Sequence, residues 1–390
     1  MQEKYYPSGD INTAQTLAAI GSILDCQKKY DEPLDFYQKA LTIQERYHPS
    51  DHFDIAKSLI DVGNVLSSQS KHDEALEFFK RATTILEKDY PSKSDDIAFS
   101  LRKIGFILNI QGKFDQAIQS YKSAIQIQEE YSPSSLDQIA ISLCSIGAIL
   151  DSQNKYDEAL DFYQQSLTML KQYQPSGNAE IASTFSQIGS TLRLMRKHDE
   201  ALDFYKRALS IEEKCYSHSP NRIAQRLTLI GDIFGAVKNY DEALDYYHQA
   251  LVIQEKHYRT DHIDIVMSLK GIGNVHYYKG RFDRAIEYKK KSLRMQEQLL
   301  PRNHPDIAWS LFDLGATYDH IREYSFALDY KLKALMMRRK CFPRNHQQVG
   351  HILHGIGVTF ENLNQLNLAL DYFERALTIY DKSLPNGYPG

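Results

Sequence analysis

The chain has 390 residues, 42% hydrophobic and 25% charged, and 46 Lys+Arg against 50 Asp+Glu leave a formal net charge of −4. That balance gives no general pull towards nucleic acid or an anionic membrane, and no apolar run is long enough to span a bilayer. Cys26, Cys144, Cys215 and Cys341 lie far apart without a CxxC pair. Free thiols in a reducing, cytoplasmic setting are therefore expected rather than a disulfide scaffold. The first ten residues carry no basic and apolar signal sequence.

One glycine recurs along the whole chain, at Gly21, Gly63, Gly105, Gly147, Gly189, Gly231, Gly273, Gly315 and Gly357, each 42 residues from the last. A fixed period of this kind marks a repeat array. Nine units account for 378 of the 390 residues, which predicts a single array over 1–390 with units at about 10–50, 51–92, 93–134, 135–176, 177–218, 219–260, 261–302, 303–344 and 345–384.

Each unit predicts two helices. In unit two, Leu59, Val62, Gly63 and Leu66 recur at i, i+3, i+4 and i+7 and mark helix A. A polar turn from Ser68 to Lys71 follows, and Ala75, Leu76, Phe79, Ala82 and Ile85 mark helix B. Gly63 and Ala75 allow close approach, and Phe79 fills the space beside them. Helix B is expected to open on an aspartate cap at Asp31, Asp73, Asp115, Asp157, Asp199, Asp241 and Asp283. Helix A is expected to open at Asp51, Ser135, Ser219, Asp261, Asn303 and Asn345, with capping-box spacing between Ser135 and Gln138 and with Ser94 substituting for Lys93. Pro33 replaces the alanine of unit one, which a first helical turn tolerates. Leu366 replaces the turn aromatic of unit nine.

With Val62 and Gly63 followed by Ala75, Phe79 and Ala82, the unit resembles the tetratricopeptide repeat, whose consensus sets Leu, Gly, Ala, an aromatic and Ala at fixed offsets. The longer period is similar to that of kinesin light chains and nephrocystin-type proteins, whose inter-repeat turn Asn303, His304, Pro305, Asp306, Ile307 and Ala308 resemble. The resemblance implies an all-α fold, a right-handed α-solenoid superhelix of nine helix-turn-helix repeats. It implies a non-catalytic protein–protein interaction scaffold that binds a peptide segment of a partner in its concave groove. The alternative is an adaptor or regulatory subunit of a separate enzyme or motor complex, similar to a kinesin-light-chain cargo adaptor.

Chemistry-bearing motifs are absent from the sequence: no Gly-rich phosphate loop, HExxH or nucleophile elbow occurs. No catalytic residue, cofactor or metal is expected. The repeated Asp-Glu pairs read as helix starts rather than acid–base pairs. His351 and His354 are three apart on one helix face, with His320 in the preceding unit, but no cysteine or carboxylate cluster completes a metal site. Tyr205, Tyr246 and Tyr247 read as packing residues rather than a nucleic-acid stacking surface.

In the family, helix A lines the concave side. By that resemblance the inner face bears Lys57, Ile60 and Asn64 in unit two and Phe99, Arg102 and Phe106 in unit three. It bears Met267, Lys270, Asn274, Tyr277 and Tyr278 in unit seven, Trp309, Phe312, Ala316 and Asp319 in unit eight, and His351, His354, Val358 and Glu361 in unit nine. Units seven to nine concentrate the aromatics, so Lys270, Asn274, Tyr277, Tyr278, Trp309, Phe312, Asp319, His351 and His354 form the expected partner-binding set. The competing reading is that some of them pack between helices A.

Lys270 and Asn274 also match two positions of the carboxylate clamp of chaperone-binding tetratricopeptide domains, but Asp313, His351 and Gly355 occupy its other positions and do not fit. Asp151, Asp232 and Asp319 favour a basic ligand, whereas Lys57, Arg102 and Lys270 favour an acidic one. Neither sign is fixed by the sequence. In the last helix Leu370, Phe373, Leu377 and Tyr380 have no later helix to cover them. This predicts self-association or partner binding through that helix, unless the tail Leu384 to Gly390 folds back over it.

Overall fold

The computed structural model describes residues 11–27, 32–47, 52–90, 92–173, 179–215, 219–258, 260–341 and 347–383, and all regular structure among them is α-helical. The first helices of the successive repeats are α1 (Ile11–Cys26), α3 (His52–Ser68), α5 (Ser94–Ile110), α7 (Leu136–Ser152), α9 (Ala179–Leu194), α11 (Pro220–Ala236), α13 (Ile263–Tyr278), α15 (Pro305–His320) and α17 (Gln347–Asn362). The second helices are α2 (Glu32–Tyr47), α4 (His72–Asp89), α6 (Phe114–Tyr131), α8 (Tyr156–Tyr173), α10 (His198–Cys215), α12 (Tyr240–His257), α14 (Phe282–Leu299), α16 (Tyr324–Cys341) and α18 (Leu366–Ser383).

The chain divides into two compact units, Met1–Met195 and Arg196–Gly390. In the first, α1 pairs with α2, α3 with α4, α5 with α6 and α7 with α8, and each pair passes its second helix onto the first helix of the next. In the second, α11 pairs with α12, α13 with α14, α15 with α16 and α17 with α18, joined in the same way. Successive helix hairpins stacked on their neighbours are the α-solenoid fold. No helix among the described residues is long and apolar enough to cross a membrane.

Most hairpins close on a contact between the repeat glycine and the ring 16 residues later. An ideal Cβ at Gly63 would lie 3.0 Å from the Phe79 ring, at Gly105 2.9 Å from Tyr121, at Gly147 2.7 Å from Tyr163 and at Gly231 2.9 Å from Tyr247. The ring occupies the volume a side chain would need, so the two helices meet at backbone distance. The alanines of the second helix, Ala75, Ala117, Ala159, Ala243 and Ala285, are fully buried beside it. Pro33 holds that place in the first turn of α2, also buried.

The turn ending the first helix is equally regular. Its seventh residue past the repeat glycine has positive φ in eight repeats: Ser70, Gly112, Asn154, Arg196, Lys238, Gly280, Arg322 and Asn364. The next N–H then reaches back five residues, as Lys71 N to Leu66 O and Lys155 N to Leu150 O do at 2.9 Å. This is a Schellman closure, which satisfies carbonyls that the helix end leaves open.

That closure moves the next helix cap back by two residues from the aspartate. Lys71, Lys113, Asn239 and Arg281 hold the cap positions of α4, α6, α12 and α14, and none makes a side-chain cap bond. Asp73, Asp115, Asp241 and Asp283 are instead second residues of their helices, so they face the positive end of the dipole without capping it. Two of them tie repeats together: Gln111 Nε2 donates to Asp73 Oδ1 at 2.8 Å, and Lys279 pairs with Asp241.

The expected caps of the first helices are corrected too. Lys93 holds the cap position of α5, and Ser94 Oγ bonds Ser132 Oγ instead. Ser135 holds the cap position of α7, but its Oγ donates to Asp95 Oδ1, and Gln138 binds Asp137 and Arg102, so no capping box forms. Ser219 makes no side-chain cap bond. His262 and His304, not Asp261 and Asn303, cap α13 and α15, with Nδ1 accepting from Asp264 N and Asp306 N at 3.2 Å. Asp31, Asp51, Asn345 and the tail 384–390 lie outside the described residues.

The hairpin contact sets a stability expectation. Tyr163 is fully enclosed and cannot retreat from a new side chain, so Gly147→Leu should lower stability by about 1–3 kcal/mol through overpacking. Gly235 is the control, because a Cβ there meets only Tyr247 Oη at 3.9 Å. Gly235→Ala should leave the urea unfolding midpoint unchanged or slightly raised. Equal losses in both variants would refute overpacking as the cause.

Candidate partner-binding site

The nine residues expected from the sequence do not form one patch. The structure places them in separate groups in the second unit.

Lys270, Asn274 and Tyr278 follow one another at i, i+4 and i+8 on α13 and so share a face. They line a cleft of about 670 Å³ together with Gly235, Met267 and Tyr247. Tyr278 is 65% exposed and stacks on Tyr240, with ring centroids 6.1 Å apart. Tyr247 forms the floor. Its ring fills the space above Gly231 and Gly271, and its hydroxyl donates to Asp232 Oδ1 at 2.6 Å. Burial first, and then the Asp232 charge, push the Tyr247 hydroxyl far above its ordinary pKa, so it stays a donor.

Tyr277 meets the Tyr278 ring edge-on, with centroids 5.4 Å apart, and turns its hydroxyl the other way. Its hydroxyl shares a 2.6 Å hydrogen bond with His320 Nε2, and His320 stacks on Phe282 at 5.1 Å. Trp309 and Phe312 of α15 form another group with His351 of α17, with centroids 5.5–5.8 Å apart. Trp309 remains 40% exposed. Phe312 is half-buried and packs against the core of the last repeats. A Cβ at Gly355 would lie 2.5 Å from its ring. The packing alternative therefore applies to Phe312. His354 sits on Phe373, 5.3 Å away.

The three histidines considered for a metal thus belong to three different contacts. Among the described residues no group of three or more His, Cys, Asp or Glu is placed to hold a metal ion.

Asp319 leads to two residues that the sequence reading passed over. In repeats seven and eight the ring of the hairpin contact is replaced by Lys289 and Lys331, whose side chains are only 4% and 3% exposed. Lys289 pairs with Asp313 Oδ2 at 2.9 Å, donates to Thr317 Oγ1 at 3.1 Å and lies 4.7 Å from the centre of the Tyr277 ring. Lys331 pairs with Asp319 and donates to Gly355 O and Thr359 Oγ1, each at 2.8 Å. Burial pulls both ammonium groups below their ordinary pKa, and the paired aspartates pull them back up. The signal was present: a column of aromatics interrupted by two lysines, with Thr317 and Thr359 replacing the usual aliphatic two residues past the glycine.

The first unit uses its inner charges internally. Arg102 donates to Gln138 Oε1 at 2.7 Å and to Gln128 Oε1 at 3.4 Å, and its guanidinium lies 5.9 Å from the Phe99 ring centre. Lys57 lies near Asp61, whose carboxyl burial pushes up to about 6 while Lys57 pulls it down.

With this geometry established, sequence profiles described as tetratricopeptide repeat match residues 11–88, 96–172, 180–256, 222–298, 264–340 and 350–383. The chain belongs to the tetratricopeptide repeat family, whose members are generally protein-interaction scaffolds. Its fold is similar to the apo form of the quorum sensor NprR from B. thuringiensis, at 14% identity and a TM-score of 0.64, covering 92% of this chain and 99% of that one. It is also similar to a signal transduction ATPase with numerous domains from Pyrococcus horikoshii that has a tetratricopeptide repeat sensor, at 15% identity and a TM-score of 0.63, covering 90% of this chain and 53% of that one. A third likeness is to BtubC (BKLC) from P. vanneervenii, at 15% identity and a TM-score of 0.51, covering 63% of this chain and 92% of that one. At such identities the likeness is one of fold. No curated protein matches the chain in sequence.

The buried pairs can be tested directly. Asp319→Ala leaves the Lys331 ammonium buried without its counter-charge and should cost about 3–5 kcal/mol. Adding Lys331→Phe restores the ring found in the other hairpins and should recover most of that loss. A urea midpoint for Asp319→Ala equal to that of the parent chain would mean that the pair does not hold the hairpin.

Proposed function

We propose that this chain is a non-catalytic scaffold that holds a peptide segment of a partner protein against α13, α15 and α17. In this reading Trp309 and Tyr278 supply apolar contact and Lys270 and Asn274 fix polar groups of the segment. Phe312, His351 and His354 support the aromatic wall, and Tyr277 and Asp319 set its edges. The observation that carries the reading is the exposure of Trp309 and Tyr278 on successive first helices of neighbouring repeats. Large aromatics left in water beside ready polar groups are the usual anchors of an interface. A second reading is supported by the repeat sensor of the Pyrococcus ATPase: the array senses a ligand and regulates a separate enzyme. Both readings use the same surface.

The test uses peptides selected from a displayed random library against the full chain. Trp309→Ala should weaken their binding by about 2 kcal/mol, roughly thirtyfold, with an unchanged helical spectrum. Unaltered affinity would place the site elsewhere. Phe312→Ala is a poorer probe, because its ring is shared with the core.

A second contact surface is supported at α18, where Leu366, Leu368, Leu370 and Leu377 are exposed, the last two at 58% each. Phe373 does not belong to it, since its ring fills the space above Gly357, and Tyr380 is half-buried beside Gly350. In this proposal α18 mediates self-association. Sedimentation should show a concentration-dependent dimer that Leu370→Glu with Leu377→Glu abolishes. A parent chain that stays monomeric at high concentration would exclude it.

A further inference from the structure

We propose that the cleft between repeats six and seven selects acidic segments: it takes a side-chain carboxylate of the partner peptide on Lys270 and Asn274, and lodges a neighbouring apolar side chain against Gly235 and Met267. The inference rests on the scaffold reading above and adds the sign of the ligand and the pocket that reads it.

Space is the first argument. The fourth residue past the repeat glycine carries a side chain in every other repeat: Asp25, Ser67, Asn109, Asp151, Arg193, Tyr277, Asp319 and Glu361. Here alone it is glycine, Gly235, and the atom nearest to an added Cβ is 3.9 Å away. The space left by that missing side chain is one part of the cleft, which opens to solvent beside Met267, itself 53% exposed. A void of several hundred Å³ lined by aromatic and small residues suits an apolar side chain.

Charge is the second argument. The sequence set three inner carboxylates against three inner cations. In the structure Asp319 is neutralised by Lys331, and Asp313 beside it by Lys289. Asp232 lines the cleft itself and is engaged as the acceptor of the Tyr247 hydroxyl, and Asp151, in the first unit, has its carboxyl pKa pushed up by burial. Among the cations, Arg102 is held by two glutamines and Lys57 lies near Asp61. Lys270 has neither a hydrogen bond nor a counter-ion among the described residues, and neither does the Asn274 amide one turn away. Lys238 adds a second positive charge at the rim. The cleft thus sets two lysines against one carboxylate that already accepts a hydrogen bond, so a basic ligand meets a net positive lining, whereas an acidic one supplies the missing partner of Lys270.

Geometry narrows the carboxylate. One ammonium and one amide on a single helix face suit a side-chain carboxylate. The further groups that grip a chain terminus are not there, because the second asparagine position holds Asp313 and the two basic positions hold His351 and Gly355.

The experiment uses the full chain and two fluorescein-labelled peptide pools. Both are randomised over Leu, Ile, Met, Phe, Tyr and Trp at apolar positions, and they differ only in carrying Asp/Glu or Lys/Arg at the charged ones. The acidic pool should be retained at low salt about tenfold better than the basic pool, as expected for one charge-assisted contact. Lys270→Ala should remove that preference and Lys270→Glu reverse it. Gly235→Leu should weaken acidic retention by filling the cleft. Salt should shrink the Lys270 effect but not the Gly235 effect. Lys270→Ala serves alone if Gly235→Leu fails to fold. Equal or better retention of the basic pool overturns the inference, as does acidic retention that ignores both positions. If Trp309→Ala abolishes acidic retention while Lys270→Ala and Gly235→Leu do not, the scaffold reading stands and this pocket falls. If neither pool is retained, both fall.

Discussion

The structure depends on a single contact, repeated along the chain: a backbone with no side chain on one helix and a ring on the next. Neither half works alone. A glycine in mid-helix costs about 1 kcal/mol of helix propensity relative to alanine, and a buried tyrosine needs a surface to lie on. Placed together, the missing Cβ becomes the seat for the ring, and the helices approach more closely than two ordinary side chains would allow. The invariant 42-residue spacing follows. An insertion in either helix would rotate the ring off its glycine, and the error would pass to every later hairpin, because each second helix is also the platform for the next first helix.

The two hairpins that break this rule are therefore informative. Lys289 and Lys331 fill the space of the ring with an aliphatic stem, and their Cγ atoms would lie 3.0 and 2.8 Å from a Cβ at Gly273 and Gly315. The stem does the packing, and the ammonium emerges at the far side, where it must be neutralised. That requirement explains the company they keep. Asp313, Asp319, Thr317 and Thr359 are all on first helices, within reach of the two ammonium groups. Inner-face aspartates that look like ligand-binding charges in the sequence are, in these repeats, counter-ions of the wall.

Much of the fold was legible in the sequence because it is written in the period. Glycine, alanine and aromatic positions recur in phase, and helix pairs, packing stripes and turns follow from them. The helix caps were not legible, because their register is set by the closure of the preceding helix. A left-handed residue such as Ser70 or Lys238 gives no strong compositional signal, and it moves the cap onto Lys71 or Asn239. The expected site was legible as a list of side chains but not as a grouping. Tyr277 and Tyr278 are adjacent in sequence, yet one bonds His320 and the other stacks on Tyr240. The cleft depends on what Gly235 lacks, and a glycine among 19 stands out only when its phase in the repeat is compared with the same position elsewhere.

The interruption of the aromatic column also bears on the surface that α15 presents. Asp313 binds Lys289 of α14 and Asp319 binds Lys331 of α16, while Lys331 reaches on to Gly355 and Thr359 of α17. The helix that carries Trp309 is thus held from both sides by buried ammonium groups. Such pairs add less to stability than rings would, but their bonds are directional, and a helix fixed at two points a turn and a half apart cannot slide or roll on its neighbours as readily as one seated on rings alone. If Trp309 is the anchor proposed above, its place on a fixed helix means that it loses little freedom when a partner arrives, which lowers the ordering cost of binding. In the proposed function the polar hairpins and the exposed tryptophan belong to one arrangement, in which the repeats that give up apolar packing hold the proposed contact residues in place.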